Sequence, residues 1–229
     1  MKMNIRKKIV TLVFILSSLF LTTVYADSAL EAREFSAKQT SGIWNTKKLK
    51  IPGATWYLNY KRKNMKIIKD SQKGDVIKLI GIKPEWQEIS LLDKEFLKKC
   101  ADEGKLVLEM ELRPTETIAG KMYFKIYCVA SSLSNPGKSF IIDLNLFSDK
   151  IVCSRKKIIK ANLSDRWIRI KIIVNTKTNT WTVKLDGKKI AVNKEKPRKL
   201  KHLCSLWFGD GSQSCAGVVL VNKVIVSSK

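Results

Sequence analysis

Acidic, amide and tyrosine side chains recur at every second position along three segments in the middle of the chain. Residues 105–113, 121–130 and 139–147 each predict a β-strand of ordinary length. Alternate residues of a strand lie on the same face of a sheet, so each segment places its polar residues on one side. The candidate carbohydrate-contacting residues are Glu109, Glu111, Arg113, Tyr123, Lys125, Tyr127, Asp143 and Asn145.

The positions between these polar residues are apolar and predict a buried core. If the three strands are neighbours, their polar sides form one surface of carboxylates, amides and phenols. Such groups hydrogen-bond sugar hydroxyls, and tyrosine rings stack on sugar rings. The alternative is a solvated outer face on which opposite charges pair across strands. The sequence leaves both interpretations open.

The last third of the chain carries the strongest indication of fold. Residues 166–174 and 180–185 alternate apolar and polar side chains, which predicts two strands with one buried face. Asp186-Gly187 is a preferred pair for a tight hairpin turn. An apolar run at 203–208 and a closing strand at 217–226 follow.

Further strands are predicted at 54–60, 65–69 and 75–80, and the one plausible helix is Leu92–Cys100. About a dozen strands with at most one short helix predict an all-β fold, a two-sheet antiparallel β-sandwich.

The N-terminus has the features of a secretory signal peptide. Four basic residues precede an apolar stretch from Ile9 to Val24, and Val24-Tyr25-Ala26 is a small-residue cleavage site. About 16 apolar residues fall short of the roughly 20 that a membrane-spanning helix needs. We therefore expect residues 1–26 to be removed, residues 27–229 to form a single domain, and the protein to be secreted or periplasmic.

The chain is strongly basic, with 44 Lys and Arg residues against 20 Asp and Glu. Since the leader holds four of the basic residues, 40 remain against 20 in the expected mature chain. Such a field attracts anionic partners, including an acidic polysaccharide. Most of the cations are lysine, so a compositional bias explains the charge equally well. No helix-turn-helix, zinc-finger or RNA-binding signature is present, and nucleic acid is not expected as a partner.

Five cysteines lie in the expected mature chain, so at least one cannot pair within it. Cys204 with Cys215 is the favoured disulfide because the two flank the glycine-rich turn at 209–211, and Cys128 with Cys153 is second. A buried free thiol is an equal interpretation of Cys128. The pairing, which also leaves Cys100 open, is not determined by sequence.

No metal or cofactor site is predicted. Asp149, Asp165 and Asp210 in predicted turns make calcium an alternative, but isolated turn aspartates usually cap backbone amides. The single histidine, His202, adjoins the basic run at 194–201, and no nucleophile motif or phosphate-binding glycine loop occurs.

Four motifs carry a family resemblance. They are residues 165–170 (DRWIRI), residues 180–187 (TWTVKLDG), residues 206–209 (LWFG) and the late Gly217 with its closing strand. This pattern resembles the C-terminal half of concanavalin A-like lectin/glucanase domains, including laminin G-like ones. Many of these domains have an aspartate in the last strand, where this chain has residues 221–223 (VNK).

The resemblance implies a concanavalin A-like jelly roll, a fold that serves lectins, hydrolases, lyases and adhesion modules. Laminarinase-like hydrolases of this fold carry three acids along one strand. Here Glu109 and Glu111 are followed by Arg113 and Pro114, so that catalytic motif is absent. We therefore predict a non-catalytic, lectin-like protein that binds a polysaccharide, and an acidic polysaccharide is one candidate. The alternatives are a polysaccharide-degrading enzyme of this fold and an envelope adhesion module.

Overall fold

Two antiparallel sheets and one short helix make up the described part of the chain. The computed structural model describes residues 32–37, 49–50, 56–59, 64–81, 87–117, 122–129, 140–153, 157–178, 180–194, 205–210 and 216–228. From Arg33 onwards the described residues belong to one compact unit.

The first sheet, called sheet A, has eight strands. Seven follow the spatial order β14-β13-β12-β7-β16-β5-β4, and β1 also pairs with β16. Their bounds are β1 Ala32–Ser36, β4 Met65–Asp70, β5 Gly74–Gly81, β7 Lys105–Thr117, β12 Ile168–Asn175, β13 Thr180–Leu185, β14 Lys188–Lys194 and β16 Gly217–Ser227.

The second sheet, called sheet B, also has eight strands, in the order β11-β10-β9-β8-β15-β6-β3-β2. Their bounds are β2 Leu49–Lys50, β3 Trp56–Asn59, β6 Gln87–Leu91, β8 Met122–Val129, β9 Phe140–Phe147, β10 Lys150–Cys153, β11 Lys157–Lys160 and β15 Ser205–Asp210. The two sheets enclose one apolar core to which both contribute, for example Leu108 and Ile170 from sheet A and Phe124 and Leu144 from sheet B. The predicted all-β sandwich is confirmed.

The β12–β13 hairpin follows the predicted alternation. Ile168, Ile170, Ile172 and Val174 are buried, and the residues between them are partly or fully exposed. At the next turn Asp186 has φ 49° and Gly187 has φ 82°. Positive φ at both positions is what a type I′ hairpin turn requires, so this turn is confirmed.

Helix α1 spans Lys94–Glu103, two residues later at its start and three at its end than the prediction. The Asp93 side chain accepts a hydrogen bond from the Phe96 amide at 3.0 Å. Asp93 is therefore the N-cap of the helix. Phe96, Leu97 and Cys100 are buried in the core, which anchors the connection between the two sheets.

The order of strands in the two sheets differs from the sequence-based expectation in one decisive respect. The strands that carry the predicted polar surface, β7, β8 and β9, are consecutive in the chain, but β7 does not lie beside the other two. β7 pairs with β12 and β16 in sheet A, whereas β8 pairs with β9 and β15 in sheet B. The premise of one continuous three-strand surface is wrong.

The second predicted disulfide is also wrong. Strands β8 and β10 are separated by β9, so Cys128 and Cys153 lie two interstrand spacings apart, roughly 10 Å. A disulfide joins Cα atoms about 4.4–6.8 Å apart. Cys204 and Cys215 lie outside the described residues, as do the basic run after Lys194, His202 and the expected leader. Among the described residues, no helix has the length and apolar character of a membrane span.

Candidate functional site

The eight predicted residues are divided between the two sheets. Glu109, Glu111 and Arg113 lie on β7 in sheet A. The other five lie on β8 and β9 in sheet B: Tyr123, Lys125, Tyr127, Asp143 and Asn145. The two groups therefore belong to different sheets, and each must be judged by its own surroundings.

Glu109 is held by two cations of the neighbouring strand. Arg169 and Lys171 each donate to one of its carboxylate oxygens at 2.5 Å. Burial alone would raise the pKa of Glu109, but these two hydrogen bonds and charges outweigh it and hold the pKa below its ordinary value. Glu109 is therefore an ionised member of an ion-pair triad near neutral pH.

Glu111 is held in a similar way, but its partners lie on β16 and in the turn before β5 and not on β12. Asn222 donates to its Oε2 atom at 2.6 Å, and Lys73 donates to the same atom at 3.2 Å. Burial opposes ionisation here too, yet the hydrogen bonds and the nearby lysines lower the pKa of Glu111. A general acid needs a pKa near the working pH, so neither glutamate is suited to that role.

Arg113 bridges Asp70, at the end of β4, and Asp165, in the turn before β12. It donates to Asp70 at 3.2 Å and to Asp165 at 3.0 Å. The Asp70 side chain is only 5% exposed, and this desolvation raises its pKa, but the backbone amides of Gln72 and Lys73 and the charge of Arg113 bring the pKa below its ordinary value. The three predicted residues of sheet A are thus occupied by intramolecular partners, as in the alternative of cross-strand charge pairing.

Tyr123 is buried in the core. A register shift between Met122 and Phe124 turns both Tyr123 and Phe124 inward, leaving Tyr123 only 4% exposed. Its hydroxyl finds no hydrogen-bond partner among the described residues, and burial raises its pKa. A simple alternation of faces cannot anticipate this bulge, and Tyr123 is not placed to contact a ligand.

The remaining four predicted residues come together on sheet B. Lys125 lies opposite Asn145, and Tyr127 lies opposite Asp143, in the β8–β9 register. Their strand neighbours Ile126 and Leu144 are buried in the core. Because successive residues of a strand face opposite sides, these two pairs lie on the outer side of sheet B.

Tyr127 and Asp143 belong to a longer row that the sequence did not predict. Trp207 lies opposite both Tyr127 and Ser90, and Ser90 lies opposite Tyr57. We call this set, Tyr57, Ser90, Trp207, Tyr127 and Asp143, the aromatic row. The row crosses five neighbouring strands, β3, β6, β15, β8 and β9. Three aromatic residues on one side of a sheet are suited to stacking on sugar rings.

A second row of polar residues accompanies the aromatic row, two residues further along each strand. It consists of Asn59, Glu88, Gly209, Lys125 and Asn145. Gly209 occupies its centre, and glycine within a strand often marks a place where a ligand approaches the backbone. Ser90, which lies between Tyr57 and Trp207 in the first row, is 1% exposed. Recognition would therefore depend on the larger residues around these two small ones.

Sequence reasoning missed this arrangement because β15 joins β8 across about 80 residues of chain. The available signal was the alternation in residues 206–209 (LWFG), which puts Trp207 on one face of its strand and Leu206 and Phe208 on the other. No grouping of three or more potential metal ligands occurs among the described residues. Asp165, one of the three calcium candidates, is engaged by Arg113.

No family model matches the chain, and no curated protein matches it in sequence. Solved structures are similar in fold. The conserved carbohydrate esterase from the Shiga toxin-encoding bacteriophage phi24B matches 84% of this chain and 95% of its own, with 12% identity and a TM-score of 0.61.

Two further structures match over smaller shares of their own length. The binding domain of botulinum neurotoxin DC, solved with rat synaptotagmin II, matches 77% of this chain and 44% of its own, with 11% identity and a TM-score of 0.52. A Trypanosoma rangeli sialidase in complex with a difluoro sugar acid matches 76% of this chain and 27% of its own, with 10% identity and a TM-score of 0.53. At these identities the likeness shows a shared β-sandwich fold, which here occurs in proteins named for carbohydrate chemistry and for binding.

Proposed function

We propose that this protein is a non-catalytic, lectin-like β-sandwich that binds a polysaccharide through the outer side of sheet B. The aromatic row carries the proposal. Tyr57, Trp207 and Tyr127 lie in one register across neighbouring strands, with Asp143 at the end of the row. Flat rings recognise the apolar faces of sugars, and adjacent polar groups fix the hydroxyls.

The charge network of sheet A supports a binding role over a hydrolytic one. Glu109 and Glu111 are held ionised by Arg169, Lys171 and Lys73, and their pKa values lie below the ordinary range. The fold likeness to a carbohydrate esterase and a sialidase supports a sugar ligand. It identifies no catalytic residue of this chain. The concanavalin A-like class is supported by the motifs at residues 165–170, 180–187 and 206–209.

The test is a glycan array followed by titration of the strongest polysaccharide against variants of the row. We expect Trp207→Ala and Tyr127→Ala each to weaken binding about tenfold or more, since a buried aromatic contact is worth roughly 2 kcal/mol at a binding hot spot. Trp207→Phe, which keeps a ring, should retain most of the affinity.

Tyr123→Phe is the matched control, because Tyr123 is buried and outside the row. It should leave affinity unchanged. Equal losses in Tyr123→Phe and Tyr127→Ala, or no loss in Trp207→Ala, would overturn the site. Release of acyl groups, reducing ends or unsaturated products during incubation would instead indicate an enzyme. The absence of any glycan binding would favour a structural or adhesion module.

We also propose that the protein is exported, on the basis of the basic and apolar leader that ends at Ala26. Expression of the full chain in a bacterial host should release a processed protein outside the cytoplasm. Determination of its N-terminus should give Asp27. Recovery of an intact Met1 terminus in a membrane fraction would contradict this proposal.

A further inference from the structure

Three lysines face one another across the edge of sheet A, on the side away from the core. Lys171 of β12 lies opposite Lys184 of β13, which lies opposite Lys189 of β14. We call these three residues the lysine row. The adjacent core-facing residues Ile170, Ile172 and Val183 are buried, so the row is on the outer face.

The lysine row contains more positive charge than its surroundings neutralise. Lys171 pairs with Glu109, but that carboxylate is shared with Arg169. Within the described part of the chain, no carboxylate forms an ion pair with Lys184 or Lys189. Lys171 and Arg169 thus share Glu109, although Arg169 also lies opposite Glu111, and Lys184 and Lys189 add two further positive charges to the row.

Such an arrangement opposes folding. Like charges directly opposite each other in an antiparallel pair are destabilising. Lysine on an edge strand commonly prevents unwanted strand pairing, and this accounts for Lys189 on β14. The ion pair with Glu109 accounts for Lys171, but neither explanation accounts for Lys184, which lies on a strand inside the sheet. A run of three like charges across adjacent strands is a local conflict of the kind that proteins carry at functional sites.

We propose that the lysine row is a second binding surface, which takes the acidic groups of an anionic polysaccharide. The strands that carry Lys184 and Lys189 lie one interstrand spacing apart, about 4.8 Å, a distance comparable with one sugar residue of an extended chain. Lysine acts as a point charge that donates to carboxylate or sulfate oxygens without a fixed bidentate geometry. No aromatic residue lies in this row for base stacking, so a nucleic acid is a poorer match.

The lysine row takes its ligand class, a polysaccharide, from the proposed function but lies on sheet A, whereas the aromatic row lies on sheet B. Each binding surface can therefore be disproved without the other. Polygalacturonate, which carries carboxylates, and heparin, which carries sulfates as well, are the probes, with dextran as the neutral control. The Lys184→Gln/Lys189→Gln double variant should bind polygalacturonate or heparin about tenfold more weakly at low salt, because each lost contact contributes up to about 1 kcal/mol. The Trp207→Ala variant should retain this salt-sensitive component.

Lys66→Gln/Lys78→Gln is the matched control. These two lysines also lie opposite each other, across β4 and β5 of the same sheet, and the double variant removes the same charge. We expect it to change affinity less than the lysine-row variant by at least a factor of about three. Equal losses in both double variants would show a general effect of net charge and overturn the site. Stronger binding of DNA or of phosphatidylserine vesicles than of either acidic polysaccharide would also overturn it.

Stability measurements separate binding from a structural role. Replacement of Lys184 and Lys189 removes a like-charge contact, so the double variant should be at least as stable to urea as the unmodified protein. A clear loss of stability would show that the lysines support the fold, and it would contradict the proposal.

Discussion

At the residue scale, burial and charge partners decide what a side chain can do. Glu109 and Glu111 have the types and spacing of a catalytic pair, but each is engaged by cations or an amide. Tyr123 has the type of a sugar-stacking residue but lies in the core. Residue type alone therefore overestimates the chemistry available on β7 and β8.

Glu109→Gln tests the ion-pair triad. Since the folded pKa of Glu109 is below its ordinary value of 4.5, its contribution to stability is present above that pH and is lost as pH falls through the folded pKa. We expect the variant to lower the free energy of unfolding by about 1 kcal/mol near pH 7. The difference should vanish under acidic conditions. Urea denaturation of both proteins across pH measures it.

Glu116→Gln is the control for this experiment. Glu116 lies on the same strand and is exposed, and its replacement makes the same change in net charge. It should have little effect on stability at any pH. If the two variants behave alike, the triad around Glu109 does not stabilise the fold.

At the element scale, the helix boundary illustrates how one side chain fixes a local structure. Asp93 caps α1 through the Phe96 amide and also pairs with Arg33 at 2.8 Å, with both side chains mostly buried. At the other end Gly104 has φ 84°, the left-handed conformation that glycine adopts readily. Asp93 and Gly104 therefore set the length of the helix that connects β6 to β7.

We expect Asp93→Ala to lower the free energy of unfolding by about 1–2 kcal/mol, because it removes both the cap and the ion pair. Asp93→Asn keeps an oxygen that can accept from the Phe96 amide and removes only the charge. Its loss should be clearly smaller in urea denaturation. Equal losses in the two variants would mean that the Arg33 pair, and not the cap, carries the stabilisation.

At the scale of the whole molecule, the core joins both sheets and the helix. Cys100 of α1 is fully buried in the same cluster as residues of β7 and β8. Burial, with a smaller contribution from Glu103, raises the pKa of the Cys100 thiol to about 12. Its reactivity should therefore report on opening of the core.

Iodoacetamide at pH 8 should leave Cys100 unmodified in the native protein, because thiolate is scarce there and access is blocked. Labelling should appear over the same urea range in which the sandwich unfolds. Peptide mapping by mass spectrometry distinguishes Cys100 from the other cysteines. Native labelling at the rate of an exposed cysteine would show that α1 opens independently of the sheets.

The sequence by itself determined the local structure. Alternation in β12 and β13 and the Asp186-Gly187 turn gave strands, faces and a hairpin, because these follow from neighbours along the chain. Short strands such as β6, β10 and β11 were not predicted, since their patterns are too brief to stand out. The bulge that buries Tyr123 also has no local signal.

Only the tertiary structure decided which strands lie side by side, since such pairing joins residues far apart in sequence. It separated β7 from β8 and β9, and it brought Trp207 between Ser90 and Tyr127. It also brought Lys171, Lys184 and Lys189 into one register. The residue types of both proposed surfaces are visible in the sequence, but their assembly into rows depends on contacts that the chain makes only when the two sheets form.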